Sequence, residues 1–516
     1  MVKRKRQETA KGASSQPSKT IKPTTPKPAP TPKPTVDHPA VTLQIVTGSY
    51  ESVLHGFTAA VSPSAFDAKS TDKKQQKDEV PTVDPSLVQF SDTFLFEAHA
   101  SAIRCLAFSP MPSASESGSE AQKITLASGS SDERINLYSL SAHAPAAGED
   151  FPSIPSLSGQ QILENPKNRE LGTLLHHDAS VSSLSFPSRS KLLAASDDNS
   201  ISVTKTRDWT VVSTIKAPRP KVQGRPSGDT APPGGSPAGV NDFAVHPSMK
   251  VMLSVGKGEK CMRLWNLVTG KKAGVLNFTR EMLMGVKEGK WSTGEGRKII
   301  WNSKGEEFAV AFEWGAVVFG IDSTPTCRVL PSPRSKLHEM KYVSVDPSSE
   351  DSEELLAVST EDGRIGFYST QRTRKSDDEA ECPIPYAEAV AQLGGKPCGL
   401  PGRVKDFEIM NLKGEPAVGK NDFLVVTGGS EGLVRVWFLL GKDLVGEKAA
   451  AKPSGESASP VRQVGRLLNV YETGHRITCL KAFVMLPPSA AEDEEVDELD
   501  SEEDSDSDSE ASDSEA

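Results

Sequence analysis

Cysteine is sparse in these 516 residues: six are present, Cys105, Cys261, Cys327, Cys382, Cys398 and Cys479. No two form a C-x-x-C pair and no Cys/His cluster has zinc spacing, so neither a metal site nor a disulfide framework is expected. Scattered thiols of this kind fit a reducing compartment. No run of about 18 apolar residues occurs, which excludes a membrane-spanning helix. The opening residues MVKRKRQETAKG hold no apolar stretch, so no secretory leader is expected. Helical periodicity is nearly absent, and YAEAVAQL (386–393) is the best helical candidate. H-E-x-x-H is missing. GKGEKC (256–261) hints at a phosphate loop but lacks the Lys-Ser/Thr ending and the following helix. No enzyme, cofactor or small-molecule substrate is expected.

Turn formers are abundant: 38 prolines and 40 glycines favour turns and linkers over long helices. The net charge of -10 is unevenly placed. Residues 1–40 carry nine Lys/Arg against two acids, whereas residues 491–516 carry fifteen acids and no Lys/Arg. A nearly neutral body thus lies between a basic Pro/Lys-rich arm and an acidic, serine-rich tail, blocks that read as disordered interaction tails. We place the arm at 1–40, the folded body at 41–486 and the tail at 487–516. Within the body, short apolar runs rich in Val, Ile, Leu and Phe are separated by Gly, Ser, Asp and Asn, a β pattern. Six stretches break it and read as inserted loops: 62–86, 111–122, 143–170, 218–238, 373–398 and 441–462.

The body repeats. An acid is followed six residues later by an aromatic in Asp132/Tyr138, Glu259/Trp265, Glu313/Phe319, Asp362/Tyr368 and Glu431/Trp437. Asp198 has Thr204 in place of the aromatic, and the front of the chain supplies Glu51/Phe57 within IVTGSYESVLHGF. A strand beginning at a His or Gly precedes most of these: His99 before Asp132, His177 before Asp198, and then AGVNDFAVHP, GRKIIWNSKG, LHEMKYVSVDP and PGRVKDFEIM. The last such strand, ETGHRITCLKAF with His475, has no acid–aromatic unit after it. Its missing half is the front stretch. GHRITCLKAF is expected to be the inner strand, 42–58 the next two and QFSDTFLF (89–96) the outer one.

This pattern resembles the WD40 repeat. The resemblance implies an all-β fold, a seven-bladed WD40 β-propeller closed by N- and C-terminal strands. One four-stranded sheet cannot bury both its faces, whereas several stacked radially can. The turn acid and the His are expected to bond within a blade, with Thr47, Ser128 and Thr427 extending the network. His99, Asp132 and Ser128 are therefore read as structural rather than catalytic, because the constellation recurs around the ring.

The tails carry two further candidates. Lys3, Arg4, Lys5 and Arg6 form a compact basic cluster suited to nuclear import or to pre-rRNA phosphates. Ser501, Ser505, Ser507 and Ser512 each have an acid three residues on, the context of an acid-directed kinase.

The stretches IVTGSYESVLHGF, CMRLWNLVTGKKAGVLNF (261–278) and KIIWNSKGEEFAVAF (298–312) are similar to one WD-repeat family. Its members are the fungal maintenance-of-killer large-subunit biogenesis factor and the animal p21-activated-kinase-interacting protein. The resemblance implies a non-catalytic factor for the 60S subunit, acting on pre-60S particles in the nucleolus with a ribosomal-like placeholder protein and other assembly factors. Alternatives are a negative regulator docked on a p21-activated-type kinase, and a substrate adaptor of a ubiquitin ligase or chromatin complex.

Overall fold

The computed structural model describes residues 41–66, 84–112, 123–145, 153–155, 161–219, 238–289, 292–346, 352–375, 382–398, 400, 402–413, 419, 421–445 and 461–488. These are built almost wholly of short antiparallel strands. Runs such as ELLAVST and FLVVTGG are buried along their whole length, so small and β-branched side chains fill both faces of the pleat. The described α-helices are Arg280–Gly285 and Gly441–Leu444. Among the described residues no helix is long and apolar enough to cross a membrane.

The strands fall into four-stranded groups, each built in chain order from the inside outward. The first group is Ile103–Phe108, Lys123–Ser130, Ile135–Ser141 and Arg169–Leu174. The second is Val181–Ser188, Lys191–Ser196, Ser200–Lys205 and Val211–Lys216. The third is Val240–Val245, Val251–Gly256, Cys261–Asn266 and Lys271–Asn277. The fourth is Lys298–Trp301, Glu307–Ala311, Ala316–Gly320 and Pro325–Val329. The fifth is Leu337–Ser344, Glu354–Thr360, Arg364–Arg374 and Tyr386–Gly394. The sixth is Val404–Asn411, Phe423–Gly429, Leu433–Leu439 and Arg466–Glu472.

The last group joins the two ends of the described chain. Ile477–Val484 is its inner strand, followed by Val41–Ser49, Val53–Val61 and Val88–Glu97. Ile45 stands opposite Ala482, and Thr47 opposite Leu480. The inner strands lie against one another in order, and Ile477–Val484 touches both Val404–Asn411 and Ile103–Phe108, so the cycle closes. Apolar cores lie between neighbouring groups. One joins Leu43, Ile45 and Phe57 of the closing group to Leu424, Val426 and Val436 of the sixth.

Parts of the sequence reading need correction. YAEAVAQL is not a helix: Tyr386–Gly394 is the outer strand of the fifth group, so 373–398 is not simply an inserted loop. Its good helix formers are overruled because the strand edge of Arg364–Arg374 offers pairing and burial to Ala391 and Leu393. The 143–170 stretch adds Ser153–Pro155 and Gln161–Leu163 to the outer edge of the closing group. Residues 441–462 begin with the short helix Gly441–Leu444 and end at the first residue of the two-residue strand Arg462–Gln463. Arg280–Gly285 was not foreseen. Its cap was legible: the Thr279 hydroxyl accepts from the Met282 N–H at 3.3 Å.

Six inner strands carry a bulge in their pairing with the second strand. The residues set out of register are Arg104, Ser182, Asn241, His338 (with Glu339), Lys405 and Thr478. All six lie near the starts of their strands, toward the face that also carries the acid turns.

Candidate functional site: the turn face and the charged interior

The turn face is built from a strand start meeting an acid turn. In the first group His99 Nδ1 lies 3.1 Å from Asp132, and its Nε2 lies 2.8 Å from Ser128 Oγ. Asp132 also accepts the Ala100 N–H at 2.9 Å. Burial opposes the charge on Asp132, but the N–H donors of Ala100 and Arg134 and the His99 ring outweigh it and hold the carboxyl low. In the second group His177 meets Asp198 at 3.0 Å and Ser202 at 2.9 Å. Ala194 occupies the place four before that acid, so the hydroxyl comes from the next strand instead. Asp198 is held at about 2: burial opposes, and His177 and Ser200 prevail.

In five of the turns the residue directly after the acid is left-handed. Ser52, Glu133 and Asn199 take this conformation at φ near 65 to 71°, and Gly363 and Gly432 at 84° and 90°. At Gly432 a Cβ would meet the His475 carbonyl at 2.7 Å, so the glycine is required twice over.

Elsewhere the His is replaced. Glu259 pairs with Arg263 four residues on, and Glu431 with Arg435 at 2.8 Å. Asp362 holds Arg364 at 2.6 Å, and Glu313 is shared by Arg297 at 3.2 Å and Lys336 at 2.8 Å. The acid persists, but its partner is a cation from the same turn or a neighbouring group. Trp265 and Trp437 are buried, and their indole N–H groups donate to Ser254 at 2.8 Å and Thr427 at 3.3 Å. Thr47 donates to the His55 carbonyl at 3.5 Å.

His475 and Glu51 depart from expectation. Glu51 is exposed, and it accepts the backbone N–H of Arg476 at 3.0 Å rather than the His475 ring. The main-chain half of the motif survives there, as in Ala100 to Asp132, and the side-chain half is gone. Lys3, Arg4, Lys5, Arg6, Ser501, Ser505, Ser507 and Ser512 lie outside the described residues.

The interior of the ring is charged, which the sequence reading missed. Asp242, Lys298, Glu339, Lys341, Asp406, Glu408 and Lys481 all come from inner strands. Lys298 reaches Glu339 at 2.8 Å, and Lys341 and Lys481 share Glu408 at 2.6 and 2.8 Å. Asp406 accepts the Leu480 N–H at 3.0 Å. Burial opposes its charge, yet Lys481 and Lys341 hold its carboxyl below the usual range. Burial likewise opposes the Lys481 ammonium, and Asp406 and Glu408 raise its pKa regardless. The signal was in VNDFAV, LHEMKY, VKDFEIM and ITCLKAF: a charge inside each inner-strand sequence. Beneath this network a cavity of ≈ 340 Å³ opens among Leu106, Phe108, Leu184, Phe186, Lys481 and Phe483. Among the described residues no group of three or more His, Cys, Asp or Glu could hold a metal ion.

The WD domain, G-beta repeat family matches residues 90–139 and 168–204, which hold both His–acid pairs. These two stretches are WD40 repeats. Each match begins at an outer strand and ends at a third strand, so one sequence repeat straddles two structural groups. Protein MAK11 of Saccharomyces cerevisiae is 26% identical over 465 residues, covering 85% of this chain and 82% of the yeast protein. The p21-activated protein kinase-interacting protein 1-like of Xenopus laevis is 24% identical over 324 residues, 63% of this chain and 66% of the frog protein. Shk1 kinase-binding protein 15 of Schizosaccharomyces pombe is 29% identical over 183 residues, 36% and 38% of the two chains. The yeast and frog relatives carry the names of the family that the sequence stretches resemble.

Proposed function

We propose that this WD40-repeat chain is a non-catalytic, seven-bladed propeller scaffold in assembly of the large (60S) ribosomal subunit, acting on pre-60S particles in the nucleolus. The observation that carries this reading is the similarity to MAK11 along 85% of the chain, which coincides with the resemblance to the fungal large-subunit biogenesis factor. The His–acid constellations support a scaffold, because each is used up in holding a turn. A rigid ring presents its turn faces to partners, and charged tails steer their approach. The basic cluster Lys3–Arg6 would bring the protein to the nucleus and touch pre-rRNA.

A second reading is favoured by the names of relatives. Several are described as interacting with p21-activated or Shk1 kinases, so docking on a kinase of that type is the alternative.

Affinity purification of the tagged protein, followed by gradient sedimentation, separates the two. Co-migration with large-subunit rRNA precursors and assembly factors supports the scaffold reading. Sedimentation as a small kinase complex free of pre-rRNA overturns it and favours the alternative.

A further inference from the structure

The six bulged residues of the inner strands occupy equivalent places around the turn face, and four of them are committed. Arg104 donates to Ser180 Oγ at 2.7 Å and pairs with Asp197 at 3.2 Å in the next group. Ser182 donates to the Val240 carbonyl at 2.5 Å, and Asn241 to the Gly296 carbonyl at 2.9 Å. Thr478 donates to the Ile103 carbonyl at 2.6 Å. Each bulge therefore latches its group to the following one.

His338 and Lys405 make no such latch. They belong to the fifth and sixth groups, whose inner strands touch, so the two exceptions are neighbours. Among the described residues the buried Nε2 of His338 has no hydrogen-bond partner. Lys405 is half-buried and forms no ion pair among them. More positive charge surrounds the two. Arg297 and Lys336 share the single carboxylate of Glu313, and Arg403 pairs with Glu361 at 3.0 Å. Burial pushes the His338 imidazole down to about 4, and the charges of Lys405, Arg403, Arg297 and Lys336 add to the effect. Burial, then Arg403 and Arg476, likewise depress Lys405. The strands thus hold two partly buried donors in a field whose cations outnumber the neighbouring Glu313 and Glu361 carboxylates, at the only bulges among these six that give up an inter-group bond.

We propose that His338 and Lys405 form the floor of an anion site on the turn face, which receives a carboxylate side chain from an acidic peptide segment of a partner protein. An arriving carboxylate would accept from the Lys405 ammonium and from a His338 N–H, and it would relieve the repulsion among the five cations around it. Nucleic acid is disfavoured on the geometry. The field is focused at one point rather than drawn out as a stripe. The nearby Trp314 ring is already engaged by Arg334 at 4.2 Å and Lys336 at 5.4 Å, which compete with any stacking base. The inference stands apart from the choice between ribosomal particle and kinase, since it concerns the chemistry of the contact and not the identity of the partner.

The test is fluorescence anisotropy with the full chain, a labelled Glu-rich peptide and an oligouridylate of equal length. The variants are Lys405→Gln and, as a control for general charge loss, Lys271→Gln on the exposed outer strand Lys271–Asn277. Lys405→Gln is expected to weaken the peptide by about tenfold, the loss of one charge-assisted bond, with little change for Lys271→Gln. In the unaltered chain, peptide binding is expected to raise the titration midpoint of the His338 ring protons, a readout that survives if the variant fails to fold. Equal losses in both variants, a His338 midpoint unmoved by peptide, or tighter Lys405-dependent binding of the oligouridylate would each overturn the proposal.

Discussion

The Glu51 carboxylate accepts the backbone N–H of Arg476 at 3.0 Å, a bond between positions 425 residues apart. It marks the place where the two ends of the described chain complete one group. Tyr50 continues the contact, its N–H donating to the Arg476 carbonyl at 2.8 Å.

Deleting residues 1–60 therefore removes the second strand and most of the third from the closing group. Leu43, Ile45, Leu54 and Phe57 are each fully buried there. Burying such side chains is worth roughly 1.5–3 kcal/mol apiece, so the loss rivals the whole stability of an ordinary domain. The deletion is expected to abolish the cooperative thermal transition and to yield aggregated, protease-sensitive protein. A chain beginning at Pro39 keeps every contact described for that group and is expected to melt as the full chain does. An unchanged melt for the 1–60 deletion would refute the closure.

The two histidines of the repeat should differ sharply. His99→Ala strips a partner from both Asp132 and Ser128, inside a site where the ring is buried. A loss of roughly 1–3 kcal/mol is expected from urea unfolding. His475→Ala should cost less than about 0.5 kcal/mol, since Glu51 takes its bond from the main chain. Equal losses would show that the His475 ring holds its turn in some way the Glu51–Arg476 bond does not account for.

This contrast shows what was legible in the sequence. The six-residue step from acid to aromatic recurs because each turn returns the chain to the same depth in a group, so the repeat and its closure could be read from spacing alone. Which side chain answers each acid could not. Arg263, Arg435 and Arg364 take the place of a His from within the turn, and the sequence stretches show them as ordinary strand residues. The charged interior was hidden for a related reason. A Lys or Asp in a strand reads as a solvent-facing position of an alternating pattern, and only closure of the ring turns those positions inward. Tyr386–Gly394 was missed because its helix-forming residues are local, whereas the edge that captures it is not.

His338 should give the protein a distinctive pH response. Its folded pKa, about 4, lies below the ordinary 6.5, so the unfolded chain binds the proton more tightly. Its contribution is fully present above about pH 6.5 and is lost as pH falls from there toward 4, by at most about 1.4 kcal/mol per pH unit. His338→Gln should therefore flatten the difference between urea midpoints at pH 7 and 5, relative to the unaltered chain. Parallel curves for the two proteins would show that His338 titrates normally in the folded state.

The interior network makes the last prediction. Lys481 is the ammonium that supports both Asp406 and Glu408, and Asp406 is 6% exposed. Replacing it by the similarly shaped Lys481→Met leaves those two carboxylates with less positive charge in a confined space. Removing one member of a buried pair costs roughly 3–5 kcal/mol, and the partial access of Lys481 to solvent places the expected loss toward or below the lower end. The double change Lys481→Met with Glu408→Gln removes charges of both signs and should recover part of that loss. Asp406, whose low pKa depends on Lys481 and Lys341, should titrate higher in the single variant, nearer its unfolded value, so that variant should lose less stability than the unaltered chain as acid is added. Additive losses in the double-mutant cycle would mean that the charges are independently solvated and that the interior behaves as open water rather than as one network.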